Sequence, residues 1–313
     1  MNTMALRHQY EAGAITKHQF IRQIYSFHRQ LFEYVSFLHE TNVRAIEITE
    51  EGVVLALRDP PVRMYCPPGD ERNAAVETLN LKSYEGPEFA TVCRLFEGSR
   101  TFFDIGANAG YYSLGIASRF PGASVYAFEP IPSTYDQIRR NIALNGFSNI
   151  TTHNLGFSNR AGELTLYLDP SVSGATSSAP PEPGDRDLEE IACRMETLDG
   201  FVAASGQEPD FIKCDVEGAE LFVFQGGGQL LQNRRPVVFA EMLRKWALRF
   251  DYHPNEIIRY FAGFGYRCYS IFHEGLRLVP EMTDATIETN FFFCHESRHA
   301  GLLERFEHRH EHA

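Results

Sequence analysis

The sequence has little that would suit a zinc, nucleic-acid or membrane protein. Its six cysteines are widely spaced, so no pair forms the C-x-x-C pattern of zinc sites and redox-active dithiols. Basic residues do not cluster, and the formal net charge of −12 argues against DNA or RNA as the main partner. No apolar run approaches the roughly 20 residues that cross a bilayer, so we expect no membrane span.

The cysteines and the first residues both favour a cytoplasmic protein. Cys214 and Cys294 lie in apolar, strand-like runs, which predicts buried free thiols in a reducing setting. The first residues lack the charged-then-apolar order of a secretion signal. With 313 residues and 43% hydrophobic content, the chain can form one large globular domain with an appendage.

The N-terminal region, 1–75, predicts a helix and a β-hairpin. Heptad-like spacing of apolar residues predicts one helix over 15–40. Its stripe either packs onto the main domain, which we favour, or forms the seam of a homodimer, and His28 on the stripe is expected to be an interior histidine. Alternation over 44–57 predicts the hairpin, and the proline-rich stretch 58–73 predicts a connecting loop.

The main domain, 76–298, is predicted to be an α/β domain of the Rossmann-like type. Strand-like and helix-like segments alternate from Thr101 onward, which is typical of a mostly parallel sheet with crossover helices. The last two predicted strands, 266–271 and 290–295, are expected to form an antiparallel hairpin at the sheet edge. Before the first strand, Glu85 and Glu88 are expected on a solvated helix face rather than in a ligand cleft.

Two segments lack a regular pattern. The insertion 169–188 is rich in serine and proline, which favours either a lid over the substrate or a disordered loop. The tail 299–313 carries several histidines, and we expect it to be a charged, frayed terminus rather than a metal site.

The glycine turn from Asp104 to Gly110 is the most informative stretch. It lies between a strand-like and a helix-like segment, where doubly wound folds bind nucleotide-like cofactors. Its glycines do not have the G-x-G-x-x-G spacing of a dinucleotide fingerprint. Asp104 would repel a pyrophosphate, whereas a carboxylate suits the sulfonium and ammonium groups of S-adenosylmethionine.

A second acid, Glu129, ends the next strand-like segment. A carboxylate at this position commonly binds the ribose hydroxyls of an adenosine cofactor. The third predicted strand, 149–157, ends in residues that are expected to border the adenine. The predicted cofactor-binding residues, all at or just beyond strand tips, are Asp104, Gly106, Asn108, Gly110, Tyr112, Glu129, Asn154 and Gly156.

Three segments together resemble a known enzyme family. They are 103–113, 128–130 and 212–220, and Asp-Val-Glu-Gly-Ala-Glu at 215–220 is the most specific of them. In these segments the chain resembles the FkbM-type S-adenosylmethionine-dependent methyltransferases, over about residues 84–271. The resemblance implies a class I methyltransferase sheet and O-methylation of a hydroxyl on a sugar, a glycan or another natural product.

Acids also follow the tips of two later predicted strands. Asp215 ends the fourth strand, Glu217 lies just beyond it, and Glu241 ends the fifth. Because the carboxyl ends of parallel strands meet at one edge of the sheet, these acids should converge. Each is a candidate base for the attacking hydroxyl, with His253 as a weaker fourth. Alternatively, Asp215 and Glu241 hold Mg²⁺.

The sequence departs from the family after Glu241. The family often carries a histidine there, whereas here Arg244, Lys245 and Trp246 follow, so transfer of a histidine base is unsafe. Arg244 and Lys245 either meet an anionic substrate or are solvated. Two other functions stay open: a nucleotide-dependent oxidoreductase, disfavoured by Asp104 and the missing fingerprint, and a non-catalytic cofactor-binding module.

Overall fold

The structure is a computed structural model that describes residues 2–168, 176–177 and 188–307. The predicted lid or disordered loop therefore lies almost wholly outside the described residues, as does the end of the histidine-rich tail. Among the helices that are described, none combines the length and apolar character needed to cross a membrane.

The helices, in chain order, are α1 (Thr3–Glu11), α2 (Lys17–His28), α3 (Gln30–His39), α4 (Ala74–Leu81), α5 (Gly86–Phe96), α6 (Tyr111–Arg119), α7 (Pro132–Asn145), α8 (Leu198–Ser205), α9 (Glu220–Gln225), α10 (Gly228–Asn233), α11 (Arg244–Ala247), α12 (Asn255–Ala262) and α13 (Ala300–Phe306). The strands are β1 (Val43–Thr49), β2 (Gly52–Leu57), β3 (Arg63–Cys66), β4 (Thr101–Ile105), β5 (Ser124–Phe128), β6 (Ile150–His153), β7 (Gly156–Phe157), β8 (Gly162–Leu168), β9 (Thr176–Ser177), β10 (Glu189–Glu196), β11 (Phe211–Cys214), β12 (Val237–Glu241), β13 (Tyr266–Phe272), β14 (Gly275–Leu278) and β15 (Asn290–His295).

The main sheet has eight strands in the order β14-β13-β15-β12-β11-β4-β5-β6. The five strands from β12 to β6 are parallel, and β15 pairs antiparallel with both β12 and β13. This confirms the predicted mostly parallel sheet with an antiparallel C-terminal edge. The prediction missed β14, which forms a tight hairpin with β13.

The predicted third strand, 149–157, is divided between two sheets. Its first part is β6 of the main sheet, whereas β7 pairs with β10 in a smaller sheet. The side-chain amide of Asn154 lies at the bend and donates to the carbonyl oxygens of Glu129 and Pro130, each at 2.9 Å. The bend therefore positions the adjoining end of β5.

The N-terminal region differs from its prediction in two ways. The helix expected over 15–40 is divided into α2 and α3 at Arg29. Its apolar stripe packs against the core only at its end, through Leu38, whereas Ile21, Leu31 and Val35 are 54%, 52% and 59% exposed. His28 is also exposed, so its predicted interior position is wrong. A dimer seam along this stripe stays a prediction.

The predicted hairpin is confirmed as β1 and β2, but the proline-rich stretch after it is not only a loop. It contains β3, which pairs with β2. The side chains of Asn145 and Asn141 on α7 accept the amide hydrogens of Arg63 and Tyr65, both at 2.8 Å. These contacts join residues far apart in sequence, and a local pattern cannot reveal them.

Phenylalanine side chains fill the core on both faces of the main sheet. Along β4, Phe102 contributes to one core cluster and Phe103 to the other, because successive side chains point to opposite faces. The cluster with Phe102 also contains Val43 and Leu55 of the N-terminal strands. The three-stranded sheet thus shares a core with the main domain, and the boundary at residue 75 stays a prediction.

The start of the tail is ordered, which contradicts the predicted frayed terminus for 299–306. Here α13 buries Leu303 and packs Phe306 against the core. His299 precedes the helix, and its Nδ1 accepts the amide hydrogen of His295 at 2.9 Å.

Candidate active site

A cavity of about 320 Å³ opens where β4, β5, β11 and β12 end. Its wall contains the glycine turn, the segment before α5, the tips of β5 and β11, and the start of α11. In parallel α/β sheets this edge is where ligands bind. The cavity is therefore the candidate active site.

The glycine turn requires close backbone approach at Gly106. This residue has φ +70°, and a Cβ built on it would lie 1.8 Å from the carbonyl oxygen of Asp215. A larger residue would force the tips of β4 and β11 apart. Asn108, also left-handed at φ +47°, donates its amide hydrogen to Glu129 Oε2 at 3.0 Å. Its buried Oδ1 has no hydrogen-bond partner among the described residues, although Asn108 lines the cavity.

Glu129 connects the glycine turn with the tip of β5. It is 6% exposed, and its Oε1 accepts the amide hydrogen of Ile131 at 3.0 Å. Burial raises the pKa of Glu129 to about 7, while the amide hydrogens of Ile131 and Asn108 act in the opposite direction. Beyond it lies the apolar end of the cavity, lined by Pro130, Gly156, Phe157, Leu166 and Met195.

The structure brings five of the eight predicted cofactor residues to the cavity wall: Gly106, Asn108, Tyr112, Glu129 and Gly156. Gly110 is instead the N-cap of α6, and its Cα faces Ile138. Asn154 is turned toward the backbone at the end of β5.

Asp104 does not line the cavity either. Its side chain points to the first turn of α6, where Oδ2 accepts from the Ser113 amide at 2.9 Å and from the Ser113 hydroxyl at 2.6 Å. It is fully buried, which raises its pKa, while Lys213 and the Ser113 hydrogen bonds act against that shift. Asp104 therefore lies behind the cavity wall, where it contacts the first turn of α6 and Lys213.

Lys213 is a site residue that we did not single out from the sequence. It lies in the middle of the buried strand β11, and its Nζ is 2.9 Å from Gly106 O, 3.3 Å from Asp215 Oδ2 and 3.8 Å from Asp104 Oδ1. Desolvation lowers the pKa of Lys213, but Asp215 and Asp104 outweigh it and the pKa is raised. A lysine within an otherwise apolar strand was the available signal, because lysine is almost never fully buried without a partner.

The three predicted catalytic acids converge, and Lys213 lies beside one of them. Oxygen atoms of Asp215, Glu217 and Glu241 all lie within 4.8 Å of one another, and all three residues line the cavity. Glu217 has a left-handed backbone at φ +54°, a strain that is often found at functional sites. Burial, and after it the Asp215 carboxylate, raises the pKa of both Glu217 and Glu241.

Of the two basic residues that follow Glu241, only Lys245 lines the cavity, whereas Arg244 lies outside it. Lys245 and Trp246 line the cavity, with Lys245 Nζ 4.9 Å from the centre of the Trp246 ring. Arg244 instead binds the carbonyl oxygens of Thr283 and Thr286, so it fixes a neighbouring loop.

His253, the weaker candidate base, lies outside the cavity wall. It is exposed, and its Nδ1 accepts the amide hydrogen of Asn255 at 3.2 Å, near the start of α12. The ring of His253 therefore contacts the start of α12 through this hydrogen bond.

Glu85 does line the cavity, which corrects its predicted position on a solvated helix face. The chain turns at this residue with φ +42°, immediately before Gly86 and the start of α5. The hydroxyl of Tyr112 donates to Glu85 Oε2 at 2.6 Å. Burial raises the pKa of Glu85 to about 7, with the Tyr112 hydrogen bond opposing the shift. Glu88, on the same helix, is not part of the wall.

The fold and the cavity agree with the family that the sequence matches. The chain belongs to the methyltransferase FkbM domain family, whose model matches residues 104–268. That range begins at the glycine turn and includes the strands that carry Glu129, Asp215 and Glu241.

Individual relatives share about a third of their residues or fewer with this chain over the matched segments. Methyltransferase sdnD of Sordaria araneosa is 32% identical over 151 residues, covering 39% of this chain and 58% of the relative. Hexuronic acid methyltransferase AglP of Haloferax volcanii is 27% identical over 137 residues, covering 44% and 54%. The matches therefore span little more than half the length of these relatives. A solved FkbM methyltransferase of Methylobacillus flagellatus aligns over 69% of this chain and 52% of its own, at 18% identity. The TM-score of this alignment is 0.40.

Proposed function

We propose that the protein is an S-adenosylmethionine-dependent O-methyltransferase that acts on a hydroxyl of a sugar, a glycan or another small natural product. The observation that carries this proposal is the meeting of Asp215, Glu217 and Glu241 in the cavity that the glycine turn and Glu129 also line. Membership of the FkbM family supplies the methyl donor, and the acids supply a route for the hydroxyl proton.

The residues of the wall suggest how the cofactor would bind. Glu129 is at the strand tip where adenosine cofactors commonly bind through the ribose, and the apolar end beyond it, with Phe157 and Met195, suits the adenine. The unpartnered Oδ1 of Asn108 is ready to accept a hydrogen bond from the ligand. The methionine part then extends toward Lys213 and Asp215, which lie at the end of β11.

The reaction is an in-line displacement on the methyl carbon. The acceptor oxygen forms the new bond to carbon, the carbon–sulfur bond breaks, and its electron pair stays on the sulfur of S-adenosylhomocysteine. Holding the three atoms in line supplies much of the rate. The hydroxyl proton passes to a carboxylate of Asp215, Glu217 or Glu241, whose close contact disfavours full ionisation of all three.

The same three acids are also the place for Mg²⁺ binding. Carboxylate oxygens are the ligands that this cation prefers, and Asp215, Glu217 and Glu241, at the ends of the neighbouring strands β11 and β12, would supply them. A bound cation would lower the pKa of the acceptor hydroxyl. It would also replace the protons that the three crowded carboxyl groups otherwise retain. The acceptor screen must therefore be run both with Mg²⁺ and with EDTA.

The acceptor class rests on one relative and on the cavity mouth. The name of the Haloferax relative refers to a hexuronic acid, which supports a sugar as the acceptor. Trp246 at the mouth offers an aromatic face, and Lys245 beside it offers a cation for a sugar carboxylate. We therefore place uronic acids and their glycosides first among the acceptors to be tested.

The test is methyl transfer from S-adenosylmethionine with a labelled methyl group to a panel of neutral sugars, uronic acids and polyketide alcohols. We expect S-adenosylhomocysteine release with an O-methylated product, and at least a 100-fold loss of rate in Glu217→Gln or Glu241→Gln at unchanged cofactor affinity. Glu88→Gln, outside the cavity, is the matched control. An N-methylated product, or hydride transfer with a nicotinamide, would contradict the proposal.

A further inference from the structure

We propose that Glu85 binds the α-ammonium group of S-adenosylmethionine, a role that the sequence alone would give to Asp104. This inference rests on the proposed function, because it assigns one more group of the same cofactor. It concerns the part of the cavity wall formed by the segment before α5, near Lys213 and Asp215 at the end of β11.

The first argument is the position of Glu85. Its backbone is held in the left-handed region at φ +42°, which directs the side chain inward at the start of α5. The carboxylate is largely buried, and Tyr112 donates one hydrogen bond to Oε2 at 2.6 Å. The Tyr112 ring is in turn packed against Phe89 of α5 and Phe239 of β12, so the donor is fixed.

The second argument is that this carboxylate has no cation in direct contact. Among the described residues, no lysine, arginine or histidine forms an ion pair with Glu85, and the charge of Lys213, which lowers the pKa of Glu85 from farther away, is shared with Asp215 and Asp104. A buried carboxylate without a cationic partner is costly, and it takes up a proton or a cation. A ligand ammonium satisfies it.

The other acids of the wall are already engaged. Glu77 pairs with Arg72 at 3.0 Å, and Asp215 is 3.3 Å from Lys213. Glu129 accepts two backbone amide hydrogens, as described above. The remaining two acids belong to the cluster that faces the acceptor. Glu85 is thus the wall carboxylate that is left for a cationic group of the cofactor.

Asp104 cannot take this role from its position in the structure. It is fully buried behind the wall, its Oδ2 accepts both hydrogen bonds from Ser113, and Lys213 faces its Oδ1 at 3.8 Å. Although Asp104 Oδ1 accepts no hydrogen bond from the described residues, Asp104 does not line the cavity in which the cofactor would bind.

The experiment compares ligands with and without the amino acid part. Titration calorimetry measures binding of S-adenosylhomocysteine, which carries the ammonium, and of 5′-methylthioadenosine, which lacks it. Glu85→Gln should weaken S-adenosylhomocysteine roughly 10- to 100-fold, as expected for a charge-assisted hydrogen bond, and should change methylthioadenosine less than about 2-fold. Glu88→Gln, on the same helix outside the wall, should change neither.

A second measurement removes the ammonium group from the ligand instead of the charge from the protein. The wild-type protein is titrated with an S-adenosylhomocysteine analogue in which hydrogen replaces the amino group. We expect the analogue to lose about the same factor as Glu85→Gln, and to bind a folded Glu85→Gln protein as well as it binds the wild type. Additive losses, or equal weakening of both original ligands by Glu85→Gln, would overturn the assignment.

The two proposals fail in different ways. If the wild type binds neither S-adenosylhomocysteine nor methylthioadenosine, the proposed function itself is wrong. If both bind and Glu85→Gln leaves both affinities unchanged, only the assignment of Glu85 is wrong.

Discussion

Removing the charge of Lys213 should destabilise the protein strongly and in a pH-dependent way. The substitution Lys213→Met keeps the length of the side chain but leaves Asp104, which is fully buried, and Asp215 without their shared cation. Breaking a buried charge pair by removing one partner typically costs about 3–5 kcal/mol. For a chain of 313 residues that corresponds to a fall in Tm of roughly 5–8 °C.

The assay is thermal unfolding of wild type and variant, followed by circular dichroism at about pH 8 and about pH 5. The pKa of Asp104 is already raised by burial, and loss of the cation raises it further. Protonation at the lower pH should therefore remove part of the penalty. Adding Asp104→Asn to Lys213→Met should also recover stability at about pH 8. A fall in Tm below about 3 °C, or no recovery in the double variant, would refute the reasoning.

Three further predictions concern the cofactor, the acid cluster and the N-terminal helices. Glu129→Ala should weaken S-adenosylhomocysteine binding at least 10-fold, as calorimetry would show; unchanged affinity in a folded variant would remove Glu129 from the site. Burial and Asp215 raise the pKa of Glu217, so the protonated form contributes stability that is full below about pH 4.5 and is lost as pH rises. Glu217→Gln should therefore raise the Tm of the ligand-free protein at about pH 8 and leave it unchanged at about pH 4.5, and equal shifts at both would contradict this. Leu31 and Val35 are more than half exposed, so light scattering should find a wild-type dimer that Leu31→Lys with Val35→Lys converts to a monomer, whereas a monomeric wild type would rule out the seam.

The sequence was sufficient for the parallel strands of the main sheet and for the acid cluster, although not for β14 or for the division between β6 and β7. Alternating segments specify parallel strands, and the strands end at one edge, so Asp215, Glu217 and Glu241 had to lie near one another. The glycine turn was equally predictable, because the left-handed φ and the close approach at Gly106 leave no room for a side chain.

Side-chain direction at the strand tips was not predictable. Asp104 and Glu129 both stand at tips, yet one faces the first turn of α6 and the other faces the cavity. Which way such a carboxylate turns depends on donors that the fold brings near it, here the amide and hydroxyl of Ser113. The same holds for Glu85, whose inward position depends on its own left-handed backbone immediately before α5.

Long-range pairing was also beyond a local pattern. The strand β3 pairs with β2 and is hydrogen-bonded to two asparagines of α7, and the exposure of Leu31 becomes evident only when the surface of the main domain is known. Lys213 was predictable only in part. Its place in a buried strand was a visible anomaly, whereas its contact with Asp104 required the pairing of β11 with β4.

The most direct test of the account is calorimetric titration of the wild-type protein with S-adenosylmethionine, S-adenosylhomocysteine and NAD⁺. We predict one site per chain with micromolar affinity for the first two ligands and no heat of binding from NAD⁺. Binding of NAD⁺ without binding of either sulfur ligand would contradict the methyltransferase assignment of this cavity.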